Sequence, residues 1–465
     1  MTTTKSWAAA AARVAAGRAQ RLRADLLERL RSCFARVQTW QQAGKYVSAV
    51  ASDLPKRNGW TIAEYVGDRS PDRVQRLLNR AVWDTDEAIR VVRRFVVDGL
   101  ATAARRRRRG LVVGALDETG QQKRGTATCG VKRQYMGCAG RVDNGINTVH
   151  LSYVREGLGH GLIGFRQWIP AEQIDDTKAA QAMGIPGDLP FRTKGQLAID
   201  ICTDAYTDGI RFDVVCGDEV YGACTQLREF FEHQQQAYVL RVASTFLLDL
   251  GAGVRLTCRQ AVDQLVDDQR RWEVRSAGTG SRGQRWYGWV QIATASPRHV
   301  LLARRHLRTG ELAYHYCYQP DGQPRSMTRL IRAAGLRWPV EEDFEFGKDQ
   351  FGLDQCQARR YGAIRRHTVL VMAALAVCAV TTAQLRHRTD TQAPPPVTPD
   401  QAPPTEPGRI PLTVPETRRL LARVLHQPKP PQHAEHWTDW RRRHQARSRW
   451  FHQRTRLGRE YALVN

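Results

Sequence analysis

Two apolar runs in this chain each stop at an aspartate: "LVVGALD" (111–117) at Asp117 and "FDVVCGD" (212–218) at Asp218. An acid at the end of a core strand is costly unless it is solvated or paired, and in an α/β sheet that end is where ligands bind. Brought together, two such carboxylates repel each other, and a divalent cation relieves the repulsion. Hard Mg²⁺ takes oxygen ligands and bridges readily to phosphate. With a third carboxylate such a site holds two ions: one activates a water or a 3′-hydroxyl, the other stabilises the leaving oxygen of an in-line phosphodiester displacement. Turns and helix N-caps use strand-end aspartates too, so these two alone leave both readings open.

A third carboxylate is offered by "RWPVEEDFEFGKDQFGLD" (337–354). Glu341 follows Arg337 by four residues and precedes Lys348 by seven, which places all three on one face of a helix. Trp338, Phe344 and Phe351 supply apolar anchors, and Glu342 points about 100° away. In that arrangement Glu341 binds the ion while Arg337 and Lys348 take strand phosphates. Intrahelical ion pairing on a wet face has the same spacing.

The elements that must position these residues follow from periodicity. Residues 6 to about 104 read as helical, with apolar residues at helical spacing through "LRADLLERLRSCFARV" and "DRVQRLLNRAVWDTDEAIRVVRRFVVDGL". Between them "TIAEYVGDRSPDRVQRLLNR" has a helix–turn–helix look, with Gly67 and Asp68 as the turn, Ser70 as N-cap and Pro71 at the first helical position. Arg73, Arg76 and Arg80 share one face there, either as a DNA-docking helix or as the solvated side of a bundle. After "ARRRRRG" (104–110) the period changes. "LVVGALD", "CGVKRQYMGCAG" and "NTVHLSYVRE" read as strands, with "RVDNGI" as the turn between the last two. A helix near 194–209, the strand "FDVVCGD", a helix near 223–235 and the strand "AYVLRV" come next. This order predicts an α/β fold with a mixed sheet covered by helices.

The predicted boundaries are a helical DNA-binding domain over 1–104, a catalytic domain over 105–242 and 326–387, and a β-rich insertion over 243–325 between its halves. A Pro-rich linker over 388–409 and a basic helical tail over 410–465 complete the chain. In the insertion, Trp286 either stacks on a flipped base or simply packs. Trp437, Trp440 and Trp450 in the tail either interleave with Arg at a phosphate surface or pack onto the body. Lys123, Arg124, Lys132 and Arg133, close to the first aspartate, are candidate backbone contacts, and a solvated basic hairpin is their alternative.

Composition agrees with a polyanionic partner. The 465 residues hold 71 Lys+Arg against 46 Asp+Glu, a net +25, with 42% hydrophobic content that supports a globular fold. The ten cysteines are scattered without a C-x-x-C pair, which predicts reduced thiols in a cytosolic protein. "TVLVMAALAVCAVTTAQL" (368–385) is just long enough to span a membrane, but its weakly apolar end marks it as a buried core helix.

The R-(3)-E-(6)-K spacing of Arg337, Glu341 and Lys348 is similar to the Y-(2)-R-(3)-E-(6)-K signature of insertion-sequence-4-type bacterial transposases, with Ala334 at the tyrosine position. More specifically, the chain resembles the insertion-sequence-701 family of DDE transposases. The resemblance rests on "AEYVGDRSPDRVQRLL", "LDETGQQKRGTATCGVKRQYMGCAGRVDNGINTVHLSYV", "VVCGDEVYG", "RWPVEEDF", "GLDQCQARR", "RRHTVLVMAALA" and the tail "WRRRHQARSRWFHQR". It implies an RNase H-like catalytic domain whose metal-binding triad is Asp117, Asp218 and Glu341, with Glu118, Glu219 and Glu342 as neighbours easily mistaken for them. It further implies two Mg²⁺ or Mn²⁺ ions, and double-stranded DNA as substrate, both terminal inverted repeats and target. A dimer in the synaptic complex, no membrane partner and a nucleoid-associated cytoplasmic location complete that expectation. A catalytically silent DNA-binding regulator of transposase descent is the alternative.

Overall fold

The computed structural model describes residues 2–104, 110–266, 269–280, 283–323 and 326–464. The arginine run at 105–109, expected as a domain boundary, lies outside the described residues, as do residues 281–282 of the insertion.

The strands of the first half are β1 (Val112–Gln122), β2 (Lys132–Met136), β3 (Arg141–Arg155), β4 (Gly159–Gln167), β5 (Val214–Gly217) and β6 (Tyr238–Val242). Those of the second half are β7 (Leu247–Gly251), β8 (Val254–Thr257), β9 (Glu273–Gly280), β10 (Gly283–Ala293), β11 (His299–Arg305) and β12 (Leu312–Tyr318). β1 is antiparallel to β3 and β3 to β4, while β5 runs parallel to β1 and β6 parallel to β5. The helices Lys194–Thr207 and Thr225–His233 make the crossovers that parallel neighbours require. The mixed α/β architecture expected from the element order is therefore present.

Three local expectations change. β4 was not read as a strand, because its glycines (Gly159, Gly161, Gly164) dilute the strand signal. Two of them matter for packing: a Cβ at Gly161 would press on Val96, and one at Gly164 on Ile201. "RVDNGI" is not a turn but the first part of β3; the chain reverses earlier, at Gly137–Gly140, and β2 pairs with that first part. The strands of 243–325 divide: β7 and β8 pair with each other as a separate two-stranded sheet beside a second core around Leu248, Val262 and Leu301, while the other four extend the main sheet. β12 adds antiparallel to β6, and β11, β10 and β9 follow, so one sheet continues across the insertion. The pairing covers the ladder groups that β6 would otherwise leave open at an edge.

The helices Thr2–Arg29, Val37–Val50, Gly59–Tyr65, Asp72–Asn79 and Thr85–Ala104 make the N-terminal region all-helical. Their apolar faces join one continuous core with the sheet and with the helix Tyr361–Thr389, from Leu26, Val47 and Phe95 through Leu116 and Val215 to Val371 and Leu375. That last helix is the one among the described residues long and apolar enough to cross a membrane, and 94% of its apolar window is buried inside the protein. The helix–turn–helix look is realised one residue late: Gly67 turns the chain at φ +81°, and the second helix starts at Asp72 with Pro71 at its cap.

The helix Met327–Gly335 lies so close to β9 that a Cβ on Gly335 would sit 1.8 Å from the Ala277 carbonyl oxygen. Gly335→Ala is expected to cost about 1–3 kcal/mol through overpacking. A thermal melt reads that loss, and an unchanged melting temperature would show that the two elements are free to separate.

Candidate active site

The parallel pairing of β1 with β5 aligns Gly114 with Val215 and Ala115 with Cys216. Two residues further along each strand, Asp117 and Asp218 emerge at the same level. Asp218 caps the short helix Glu219–Ala223, accepting from the Val220 amide at 3.0 Å. Asp117 is still paired in β1, opposite His150 of β3, and accepts from the Glu118 amide at 2.8 Å. The alternative reading of Asp218 as an N-cap is thus correct as local geometry, and it coexists with proximity to Asp117.

Glu341 reaches this pair through Arg337. The Arg337 guanidinium donates to Asp117 Oδ2 at 2.8 Å through Nη1 and to Glu341 Oε1 through Nη2. Arg337 lies in the turn before the helix Pro339–Phe351, with its side chain only 20% exposed. The turn has Arg337 facing inward and Trp338 facing out, 49% exposed. Trp338 is therefore not the apolar anchor expected of it, whereas Phe344 and Phe351 are buried as expected.

Charge and burial oppose each other here. The Asp117 carboxyl is raised to about 7: burial pushes it up most, Arg337 pulls against that, and Asp218 adds to the rise. Burial, followed by the Glu118 charge, also raises Asp218. Burial works against the Arg337 cation, but Glu341, Asp117 and Asp218 together outweigh it and hold its pKa up. One guanidinium thus stands where three carboxylates converge. Among the described residues, no three acid, histidine or cysteine side chains are arranged to hold a metal ion as they stand.

The neighbouring acids have other partners. Glu118 pairs with Lys194 and accepts from the buried Tyr221 hydroxyl at 3.0 Å. Glu219 lies 3.1 Å from Arg241 Nε. Glu342 lies 3.2 Å from His160 Nε2 on β4. Asp343, buried, accepts from Ser152 Oγ at 2.5 Å and lies 2.9 Å from His160 Nδ1, off the line of a hydrogen bond. Sequence reasoning missed His160 and Asp343 because β4 itself was not recognised.

A family model described as DDE superfamily endonuclease matches residues 29–253, and one described as transposase DDE domain matches residues 195–377. Between them the two models match residues 29–377 to DDE-type endonuclease and transposase domains. The two matched stretches between them contain Asp117, Asp218 and Glu341. The chain is also 24% identical, over 326 residues (69% of it and 77% of the relative), to a probable transposase for insertion sequence element IS701 of Microchaete diplosiphon. It is similar to a chain in a cryo-EM structure of a piggyBac transposase synaptic complex with hairpin DNA, with a TM-score of 0.43 and 11% identity, covering 87% of this chain and 76% of that one.

The basic residues nominated from the sequence fare unevenly. Lys348 borders a small groove with Thr119, Gln121 and Asp354, next to β1. Lys123 is tucked against the Cys356 carbonyl, and burial lowers its pKa, so it is not a free backbone contact. Arg124 and Arg133 are exposed, while Lys132 pairs with Glu172 at 2.8 Å. Arg76 and Arg80 are exposed; Arg73, also exposed, lies 3.7 Å from the buried Asp68. Trp286 is 53% exposed, whereas Trp289 is buried and donates to the Arg275 carbonyl at 3.2 Å. In the tail, Trp437 is buried and donates to the Asp68 carbonyl at 2.9 Å, Trp440 meets Trp60 edge-on, and Trp450 is exposed. The packing reading thus holds for Trp437 and Trp440, while Trp450 stays on the surface of the helix Pro431–Val464 with the Arg454 guanidinium 5.1 Å from its ring.

The sequence did not single out Arg241, Arg285 or Arg304. Two of them, with Arg337, act on the buried His315: burial, then Arg304, Arg241 and Arg337, holds it down to about 3. Burial lowers Arg304, and the Arg241 and Arg285 charges add to that. They sit on three different strands, β6, β10 and β11, and only the assembled sheet groups them.

Proposed function

We propose that this protein is a DNA transposase that cleaves the ends of its element and joins them to target DNA, with Asp117, Asp218 and Glu341 as its metal-binding catalytic triad. One observation carries the reading: aspartates at matching levels of two adjacent parallel strands, Asp117 within β1 and Asp218 just past the end of β5, meet a helix glutamate through a guanidinium that bonds Asp117 and Glu341. The strand order β4-β3-β1-β5-β6, three antiparallel strands followed by two parallel ones, supports an RNase H-like assignment.

The donor set fits hard divalent cations. It is all carboxylate oxygen, its two aspartates are pushed toward the neutral form by burial and mutual repulsion, and a cationic group already sits between two of its members. Bound there, two Mg²⁺ or Mn²⁺ ions would activate water, then the freed 3′-hydroxyl, and stabilise the leaving oxygen. The chain's own residues do the rest. The sheet holds Asp117 and Asp218 in register, and the buried contacts of Asp343 and Glu342 with His160 anchor the helix that presents Glu341. Lys348, Arg124, Arg133 and the exposed arginines of Asp72–Asn79 offer positive charge to DNA phosphates, and Trp286 an exposed ring for stacking. Double-stranded DNA is the substrate, a dimer the synaptic form and the nucleoid the place of action, with no membrane partner.

The test is cleavage of duplex DNA spanning an element end and its flank, with Mg²⁺ and with chelator. Metal-dependent strand breaks at the end are expected. Tight binding with no breaks at any metal concentration would instead identify a silent DNA-binding regulator.

A further inference from the structure

We infer that Arg337 is the resident counter-cation of the acidic site, and that its docked position and divalent-metal occupancy exclude each other until DNA phosphate draws it away. The inference rests on the triad reading above.

Arg337 engages Asp117 Oδ2 and Glu341 Oε1, and the other Asp117 oxygen already accepts from the Glu118 amide, so a cation drawn to these carboxylates competes with the guanidinium for the same charge and the same lone pairs. The carboxylates are also not arranged to chelate while the guanidinium separates them. Without a cation, Asp117, Asp218 and Glu341 would repel one another in a partly buried pocket; Arg337 relieves that repulsion in the metal-free protein.

The guanidinium has a natural second partner. A phosphodiester accepts its fork in the same bidentate manner as a carboxylate. The exchange keeps charge matched: the metal takes the carboxylates and the phosphate takes Arg337. It also leaves the backbone alone, because Arg337 lies in the turn before the helix, while Glu342 and Asp343 hold the helix to His160 and Ser152 on the opposite side. Metal binding and DNA binding then become linked, each raising the other's affinity by the same factor. The consequence is a nuclease centre that loads poorly in the absence of DNA.

Mn²⁺ titration by calorimetry and by the spin-resonance signal of free Mn²⁺, on the full chain, tests this without reading activity. The probe is a random-sequence duplex lacking element ends. Arg337→Gln is expected to bind Mn²⁺ about tenfold tighter than the parent in the absence of DNA. The duplex should raise the parent's Mn²⁺ affinity by a similar factor and leave the variant's unchanged. Arg337→Lys, which keeps the charge but not the fork, should fall between them, and melting profiles check that each variant folds. Equal Mn²⁺ affinity in parent and Arg337→Gln, or an equal response of both to DNA, overturns the inference. Adding Asp117→Asn or Glu341→Gln to the Arg337→Gln chain should weaken Mn²⁺ binding; if neither does, the triad assignment itself fails.

Discussion

Glu341→Gln is expected to slow metal-dependent DNA cleavage by on the order of a thousandfold, while Glu342→Gln leaves the cleavage rate within about tenfold of the parent. The two residues are adjacent, of the same type and on the same helix, so only their surroundings separate them. Glu341 points to the Arg337 guanidinium shared with Asp117, where charge must be balanced during phosphodiester displacement. Glu342 points to β4, where His160 holds its carboxylate below the usual range despite partial burial. Glutamine preserves shape and removes only the charge, so a cleavage loss at 341 reports a missing anionic ligand rather than a cavity. Single-turnover cleavage of end-containing duplex at saturating protein is the measurement. Should Glu342→Gln abolish cleavage while Glu341→Gln retains it, the helix would present the other glutamate and the triad would have to be redrawn.

Asp343→Ala is expected to destabilise the fold by about 3–5 kcal/mol, the cost of leaving a buried charged partner unpaired. Asp343 is 1% exposed, and its removal takes the buried carboxylate from His160, leaving it only the half-exposed Glu342, and takes the shorter of two acceptors from the Ser152 hydroxyl. The same cluster predicts a pH dependence. Burial pulls the His160 pKa down, but Asp343 and Glu342 outweigh it and raise it from 6.5 to about 10. A group whose folded pKa lies above its unfolded value stabilises fully below the unfolded value, and that stability is lost as pH rises through the folded one. The parent should therefore lose stability progressively between pH 6.5 and about 10. His160→Gln should show no such loss over that window, from a lower starting stability. Denaturant midpoints at fixed ionic strength across the range decide it, and parallel profiles for parent and variant would sink the assignment. Because this cluster anchors the helix bearing Glu341, the parent should also lose cleavage as the helix loosens at high pH.

Much of the site was legible before any coordinates. The position of Asp218 just past β5 follows from where its apolar run stops, whereas β1 runs on past Asp117 to Gln122 because β3 continues to pair with it; Glu341 was nominated by its spacing to Arg337 and Lys348. Arg337 was legible in kind but not in role. Spacing put it on the helix face as a phosphate ligand; in the fold it sits in the preceding turn, bonded to two of the proposed ligands. The direction of a long side chain in a turn depends on which charges lie across the fold, and those belong to a strand more than two hundred residues away in sequence. Lys123 illustrates the same limit in reverse: basic and close to Asp117 in sequence, it folds back onto the Cys356 carbonyl.

Local sequence carried what local physics controls: apolar runs that must be buried, the turn at Gly67, the reading of Tyr361–Thr389 as a core helix, and the acidic residue types a metal site requires. It could not carry what arises when distant segments meet. The glycine-diluted β4 becomes a strand because β3 offers it a ladder, and that pairing delivers His160 to Asp343. Arg241, Arg285 and Arg304 become neighbours because the insertion continues the sheet beyond β6. Long-range pairing energies and the field of converging charges are sums over the folded chain. The sequence therefore names the three acids, while their shared counter-cation and the helix anchor behind them emerge only on folding.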